Sequence, residues 1–232
     1  LHDADDRRHD ADALVAGFEE TALLDMGFEI AAIPSLLQML ARHAFEVGRH
    51  LAVRPGQVIF ENELIQLIQY APATPQVHAR PLLIVPPCIN KFYILDLQPE
   101  NSFVRHAVAQ GMTVFLVSWR NPQADLGHLG WDDYLEMGAL KALEVAQEVS
   151  GADKVNALGF CVGGTILSAA LSVAKARGEE RVASLTLLTA LLDFSDGGEV
   201  THYVDAASVA AREAAIGRGG LLRGAELASE AS

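Results

Sequence analysis

Val155-Asn156-Ala157-Leu158-Gly159-Phe160-Cys161-Val162-Gly163-Gly164-Thr165 is the stretch whose reading decides the fold. An apolar run leads into a short turn rich in glycine. A helix of small residues is predicted from Thr165 to Arg177, ending at Gly178. A cysteine, Cys161, stands at the apex of the turn. The glycines two positions either side have a physical task. The apical residue must be held in a strained backbone conformation, and a Cβ at Gly159 or Gly163 would crowd the strand and helix that meet there. The apex also precedes the first turn of a helix, where partial positive charge favours thiolate over thiol.

Strand, sharp turn and helix with a reactive side chain at the corner form the nucleophile elbow of an α/β-hydrolase, G-x-S-x-G, here with sulfur replacing the serine oxygen. Cys161 is therefore the expected nucleophile. A free cysteine is also a common buried packing residue, and Gly-x-Cys-x-Gly alone arises by chance. The apolar strand before it and the small-residue helix after it favour the nucleophile. Working outward, Leu82–Val85 is a continuous apolar run, as in a strand buried on both faces. Pro99–Gln110 reads as a helix with proline at its start and Gly111 at its end. Thr113–Val117 reads as a strand. A helix capped by Asp132 or Asp133 is expected to set Leu135, Ala139, Leu143, Ala146 and Val149 on one face and to stop at Ser150-Gly151. Leu185–Leu191 reads as a further strand. This alternation predicts an α/β-hydrolase fold with a mostly parallel sheet and right-handed crossovers, truncated at its C-terminal side.

Towards the N-terminus, Val58-Ile59-Phe60 and Leu64–Tyr70 predict a hairpin around Glu61-Asn62-Glu63. Residues 1–43 are a helical or poorly defined segment, with helix-like spacing over Ala13–Leu24 and Pro34–Ala44. Residues 44–204 read as the N-terminal part of a catalytic domain, and 205–232 as the start of a helical cap region. Leu1 and the alanine-rich end at Ser232 both look arbitrary, so a fragment is expected. Without later strands, the edge at Leu185–Leu191 would be open and apolar, a pairing hazard.

The chain has 232 residues, half of them hydrophobic, enough for a sizeable core. Its net charge of -13 and pI near 4.9 argue against nucleic acid as a partner. No apolar run reaches the ~18 residues of a membrane helix, and no signal peptide opens the chain, which makes a cytoplasmic location the default. Two cysteines, Cys88 and Cys161, make neither a disulfide framework nor a zinc pattern. His2 and His9 lie in an acidic run that reads as a solvated end. No metal or organic cofactor is expected.

Pro86-Pro87-Cys88-Ile89-Asn90-Lys91-Phe92-Tyr93-Ile94-Leu95-Asp96-Leu97 and Thr113-Val114-Phe115-Leu116-Val117-Ser118-Trp119-Arg120-Asn121-Pro122 resemble signatures of polyhydroxyalkanoate synthases. Gly159–Thr165 resembles the class I form of the elbow in that family, and Leu188-Thr189 with Leu191–Asp196 continues the likeness. It begins near Ala44 and ends near Leu227, roughly four-fifths of the chain. The resemblance implies an acyltransferase that polymerises short (R)-3-hydroxyacyl-CoA, such as 3-hydroxybutyryl-CoA, into polyester and releases CoA. It implies homodimers, a growing polyester chain as partner, and a place at polyhydroxyalkanoate granules in the cytoplasm. CoA thioester is then substrate rather than cofactor. On this fold one oxyanion donor is the N–H after the nucleophile, Val162, and the loop after Leu82–Val85 offers the other, Ile89 N–H. Cys88 reads as a packed small residue, and Lys91 and Arg120 as ordinary solvated or paired side chains rather than phosphate ligands.

A thiolate needs a base, and the base a carboxylate. After Cys161 the chain offers His202, with Asp193, Asp196 and Asp205 near it. Acid and histidine normally follow two later strands, and only Leu185–Leu191 is available. The resemblance puts the catalytic Asp and His beyond residue 232. Two other readings compete: a cysteine-dependent hydrolase of the dienelactone-hydrolase type, and a non-catalytic, granule-associated scaffold protein.

Overall fold

A computed structural model describes residues 51–89, 91–195, 197, 205–217, 220 and 221. The helices expected at Ala13–Leu24 and Pro34–Ala44, and residues Asp196 and His202, lie outside them. The chain divides into two compact units. One spans Val47–Arg120 and Gly130–Leu192; the other takes its described residues from Asn121–Leu129 and Asp193–Ser232.

The first unit holds a six-stranded sheet. Its strands are β1 (Gly56–Glu61), β2 (Ile65–Tyr70), β3 (Leu82–Val85), β6 (Val114–Trp119), β7 (Val155–Phe160) and β8 (Val182–Leu188). Two short strands, β4 (Asp96–Gln98) and β5 (Asn101–Ser102), form a separate ribbon. The order across the large sheet is β1-β2-β6-β3-β7-β8. β1 and β2 form the antiparallel hairpin expected from sequence, and β2 runs antiparallel to β6. The Asn62 side-chain Oδ1 accepts the N–H groups of Leu64 (2.9 Å) and Ile65 (2.8 Å), closing the turn. β6, β3, β7 and β8 are parallel. The sheet is therefore mixed but mostly parallel, as in the α/β-hydrolase fold.

Burial follows position in the sheet. Every residue of β3 and of β6 is buried. On one face Leu82, Ile84, Val114 and Leu116 pack with Val104, Ala107 and Val108 of α1 (Phe103–Ala109). On the other, α3 (Lys141–Ser150) and α4 (Val162–Ala176) contact β3 and β7. Fully buried Phe115, Leu83, Ile84, Leu143, Ile166 and Leu167 each contribute about 1.5–3 kcal/mol of burial. Among the described residues β8 is the outermost strand of the sheet on its side, with Leu185 exposed.

Three elements differ from expectation. The helix predicted for Pro99–Gln110 begins at Phe103, because Pro99-Glu100 forms the turn between β4 and β5. Ser102 caps it, accepting Arg105 N–H at 2.8 Å and donating its hydroxyl to Asp96 at 2.5 Å. The strand expected at Leu185–Leu191 lies three residues earlier, its ladder with β7 ending at Phe160–Leu188. The helix after Gly130 opens as a single turn, α2 (Trp131–Asp133), with Asp133 accepting the Gly130 N–H at 2.7 Å. It continues as a π-helical stretch over Tyr134–Leu140 before α3. Leu135, Ala139, Leu143 and Ala146 are buried as expected, but Val149 is half exposed, in the exposed last turn of α3.

Both halves of the parallel sheet diverge from β3. The chain goes from β3 through α1 to β6 on one side, then through α2 and α3 to β7 on the other. Such a switch point leaves a crevice at the C-terminal ends of the strands, where open α/β sheets bind ligands. The turn after β3 and the turn after β7 meet there.

Candidate active site

Cys161 sits between β7 and α4 with φ 53° and ψ -128°. A non-glycine residue pays about 1–3 kcal/mol for such a backbone and keeps it only where neighbours enforce it. Here the Cys161 N–H donates to Leu188 O at 2.8 Å, fastening the corner to the end of β8. The Cys161 carbonyl accepts from Gly164 N (2.8 Å) and Thr165 N (3.3 Å), starting α4 at once. Thr165 Oγ1 donates to Leu191 O at 2.8 Å. The glycines are explained by what a Cβ would meet. At Gly159 it would strike Gly164 Cα, and at Gly163 the carbonyl oxygens of Val85 and Pro86. Gly164, to which sequence assigned no task, would place its Cβ 2.6 Å from Ala190 Cβ.

Val162 is the first residue of α4, and the leading N–H groups of a helix have no partner within it. Ile89 lies on the turn after β3 and is 63% exposed. Val85 pairs with Gly159 in the parallel ladder, so Cys88-Ile89 and Cys161-Val162 leave the sheet at the same edge from adjacent strands. The contact of Gly163 with the Val85 and Pro86 carbonyls packs one turn directly on the other.

Cys88 is half-buried and close enough to Cys161 to feel it electrically. Burial pushes the Cys88 thiol up, its own backbone hydrogen bond draws it down, and a charge on Cys161 pushes it up again. Tyr134 belongs to the same cluster: burial raises its phenol, and Cys88 raises it further. Cys88 is thus a partly buried thiol beside the corner cysteine. Tyr134 stacks on Trp119 with centroids 5.5 Å apart and planes at 30°. The Trp119 indole Nε1–H donates to Pro86 O at 2.8 Å in a buried contact. Sequence reading missed Trp119, Tyr134 and Gly138 as parts of this region. The glycine inside an otherwise helical pattern was the available signal: a Cβ on Gly138 would lie 2.5 Å from Trp119 Cη2.

The other residues singled out from sequence have local tasks. Asp205 caps the helix α5 (Ala206–Ile216) by accepting Ser208 N–H at 2.7 Å. Asp193 accepts Ser195 N–H at 2.9 Å, and hydrogen bonding from Ser195 holds its carboxyl below the usual range. Arg120 donates from Nη1 to Glu63 O at 3.4 Å, in line with a paired side chain. Lys91 precedes a 3₁₀ turn at Phe92–Leu95 and accepts Ile94 N–H through its carbonyl at 3.1 Å. Among the described residues no group of three His, Cys, Asp or Glu side chains is placed to hold a metal, and no helix is long and apolar enough to cross a membrane.

A family described as "Poly-beta-hydroxybutyrate polymerase (PhaC) N-terminus" matches residues 9–107, and the "alpha/beta hydrolase fold" family matches residues 81–227. The chain is similar to a poly(3-hydroxyalkanoate) polymerase subunit PhaC of Cupriavidus necator, 62% identical over 191 residues. The chain belongs to the polyhydroxyalkanoate synthase family, on an α/β-hydrolase fold. That alignment covers 80% of this chain and 32% of the relative. A subunit of the same name from Rhizobium meliloti is 43% identical over 185 residues, covering 80% of this chain and 30% of that protein. A poly(3-hydroxyalkanoate) polymerase of Methylorubrum extorquens is 44% identical over 186 residues, 80% of this chain and 31% of its own. The chain spans about a third of the length of these synthases. The family match begins at residue 9, ahead of the start near Ala44 read from the motifs, because the segment before Ala44 carries no distinctive short motif.

Proposed function

We propose that this chain carries the nucleophile half of an acyltransferase that polymerises (R)-3-hydroxyacyl-CoA, with short monomers such as 3-hydroxybutyryl-CoA preferred. The observation that carries the reading is Cys161 at φ 53° on a corner braced by three glycines and the Leu188 carbonyl. In the first step the Cys161 thiolate bonds to the thioester carbonyl carbon. The carbonyl oxygen becomes an oxyanion facing Val162 N–H and Ile89 N–H. The intermediate collapses, the bond to CoA sulfur breaks, and the CoA thiolate takes up a proton. The enzyme then holds the acyl group as a thioester, still activated. In the second step the hydroxyl oxygen of another hydroxyacyl unit bonds to that carbon and gives its proton to a base. The carbon–sulfur bond breaks, an ester is formed, and Cys161 returns as thiolate. Sulfur suits this cycle because an acyl-serine ester would lose most of the activation that the second step needs.

The insoluble product stays attached, which would hold the protein at a polymer–water surface in the cytoplasm, as a homodimer on the family likeness. Neither Asp193 nor Asp205 is needed as triad acid on this reading; both are occupied locally. Purified chain incubated with 3-hydroxybutyryl-CoA is expected to release CoA once per Cys161 without sustained turnover. Sustained turnover abolished by His202→Ala would contradict this reading by assigning the base to His202. Product analysis on a longer chain containing this segment separates the rivals: polymer for the synthase, free hydroxy acid for a cysteine hydrolase.

A further inference from the structure

The turn that presents Ile89 has an unusual weakness. It leaves β3 through Pro86-Pro87, two residues without backbone N–H groups, so the chain there can accept hydrogen bonds but not donate them. A loop that must hold an oxyanion donor in place needs an external tie. The tie comes from Trp119, the last residue of β6, the strand beside β3. Its indole N–H reaches across to Pro86 O at 2.8 Å. The same Pro86 peptide rests on Gly163, in the first turn of the elbow helix. Trp119 is itself clamped: it is 8% exposed, stacks on Tyr134, and fills the space left by Gly138 in the π-helical stretch. π-helical turns and helix-interior glycines both cost stability, which a merely space-filling side chain would not require.

We propose that Trp119 is a positioning residue that, through its N–H to the Pro86 carbonyl, sets the Ile89 loop at the distance from Cys161 needed to receive the oxyanion. The proposal rests on the nucleophile and oxyanion assignments above and adds a residue neither of them contains. Two restricted prolines carry the constraint from Pro86 towards Cys88 and Ile89, since their φ angles are locked. Loss of the tie would leave Cys161 as nucleophilic as before but slow any reaction that builds negative charge on a carbonyl oxygen.

Two probes separate these effects. Iodoacetamide alkylates the thiolate by displacing iodide and builds no oxyanion. p-Nitrophenyl acetate acylates it through a tetrahedral oxyanion and releases p-nitrophenolate. Rates at Cys161 are measured on the full chain, with Cys161→Ala as background and peptide mapping to set aside Cys88. Trp119→Phe removes the N–H and part of the bulk. Replacing Trp119 with β-(3-benzothienyl)alanine keeps the bicycle and removes only the N–H, and it decides the matter if Trp119→Phe does not fold. In either variant acylation is expected to slow about 10- to 100-fold while alkylation stays within about twofold. Unchanged acylation in the benzothienyl variant, or acylation and alkylation falling together, would overturn the proposal. If wild-type Cys161 is alkylated but never acylated, the nucleophile reading has failed first, and the role of Trp119 falls with it.

Discussion

Cys88 and Cys161 are the same residue type, on turns at the same edge of the sheet, after strands that pair with each other. Their backbones differ. Cys161 is forced to φ 53° and is followed at once by a helix of fifteen residues. Cys88 follows two prolines in an ordinary turn and is succeeded only by a 3₁₀ turn at Phe92–Leu95. Burial and the neighbouring sulfur push the Cys88 thiol up, whereas Cys161 stands at the start of a helix, where unpartnered N–H groups converge. On the proposed reading, main-chain geometry decides which of the two thiols reacts, with the side chain supplying only the atom.

The harshest way to break the comparison is to remove what forces the Cys161 corner. Gly163→Ala sets a Cβ against the Val85 and Pro86 carbonyl oxygens, main-chain atoms of the buried β3 end. We expect a loss of more than about 3 kcal/mol in denaturant unfolding. Gly178→Ala, at φ +79° with open space around it, is the control and should cost only about 1 kcal/mol. Equal effects at the two sites would mean that the elbow is not tightly packed.

A gentler comparison sets the two thiols against each other. With limiting iodoacetamide near pH 8, Cys161 should be modified at least about tenfold faster than Cys88. Mapped peptides report the ratio, and a faster Cys88 would reverse the assignment. The pH dependence sharpens this. Because the folded state raises the Cys88 thiol, the folded form holds its proton where the unfolded form has lost it. Stability from this site is therefore complete below the ordinary thiol value, about 8.5, and declines as pH rises from there up to the raised value of the folded thiol. Unfolding curves from pH 7 to 10 should show that decline, and Cys88→Ala should flatten it. The smallest effect is expected from Cys88→Ala at pH 7, about 1 kcal/mol or less in stability.

The elbow was legible because its signals are local: an apolar strand, glycines at fixed offsets and a small-residue helix. Leu82–Val85 was legible for the same reason, since a strand covered on both faces needs no alternation. The start of α1 was misread because Pro99 fits a first helical turn and a hairpin turn equally well, and the deciding contact of Ser102 with Asp96 is a matter of the β4–β5 ribbon. Trp119, Pro86 and Gly138 were invisible as a group, because they come from three elements and meet only when β6 lies beside β3. That Cys88 lies beside Cys161 was not legible, because nothing in its own segment announces that Val85 pairs with Gly159.

The most direct test is to expose the chain to 3-hydroxybutyryl-CoA, digest it under conditions that preserve thioesters, and locate the acyl group by mass spectrometry. The account predicts one hydroxybutyryl group per chain on Cys161, lost in Cys161→Ala and retained in Cys88→Ala. An acyl group on Cys88, or none on Cys161 in a chain whose Cys161 still reacts with iodoacetamide, would contradict it.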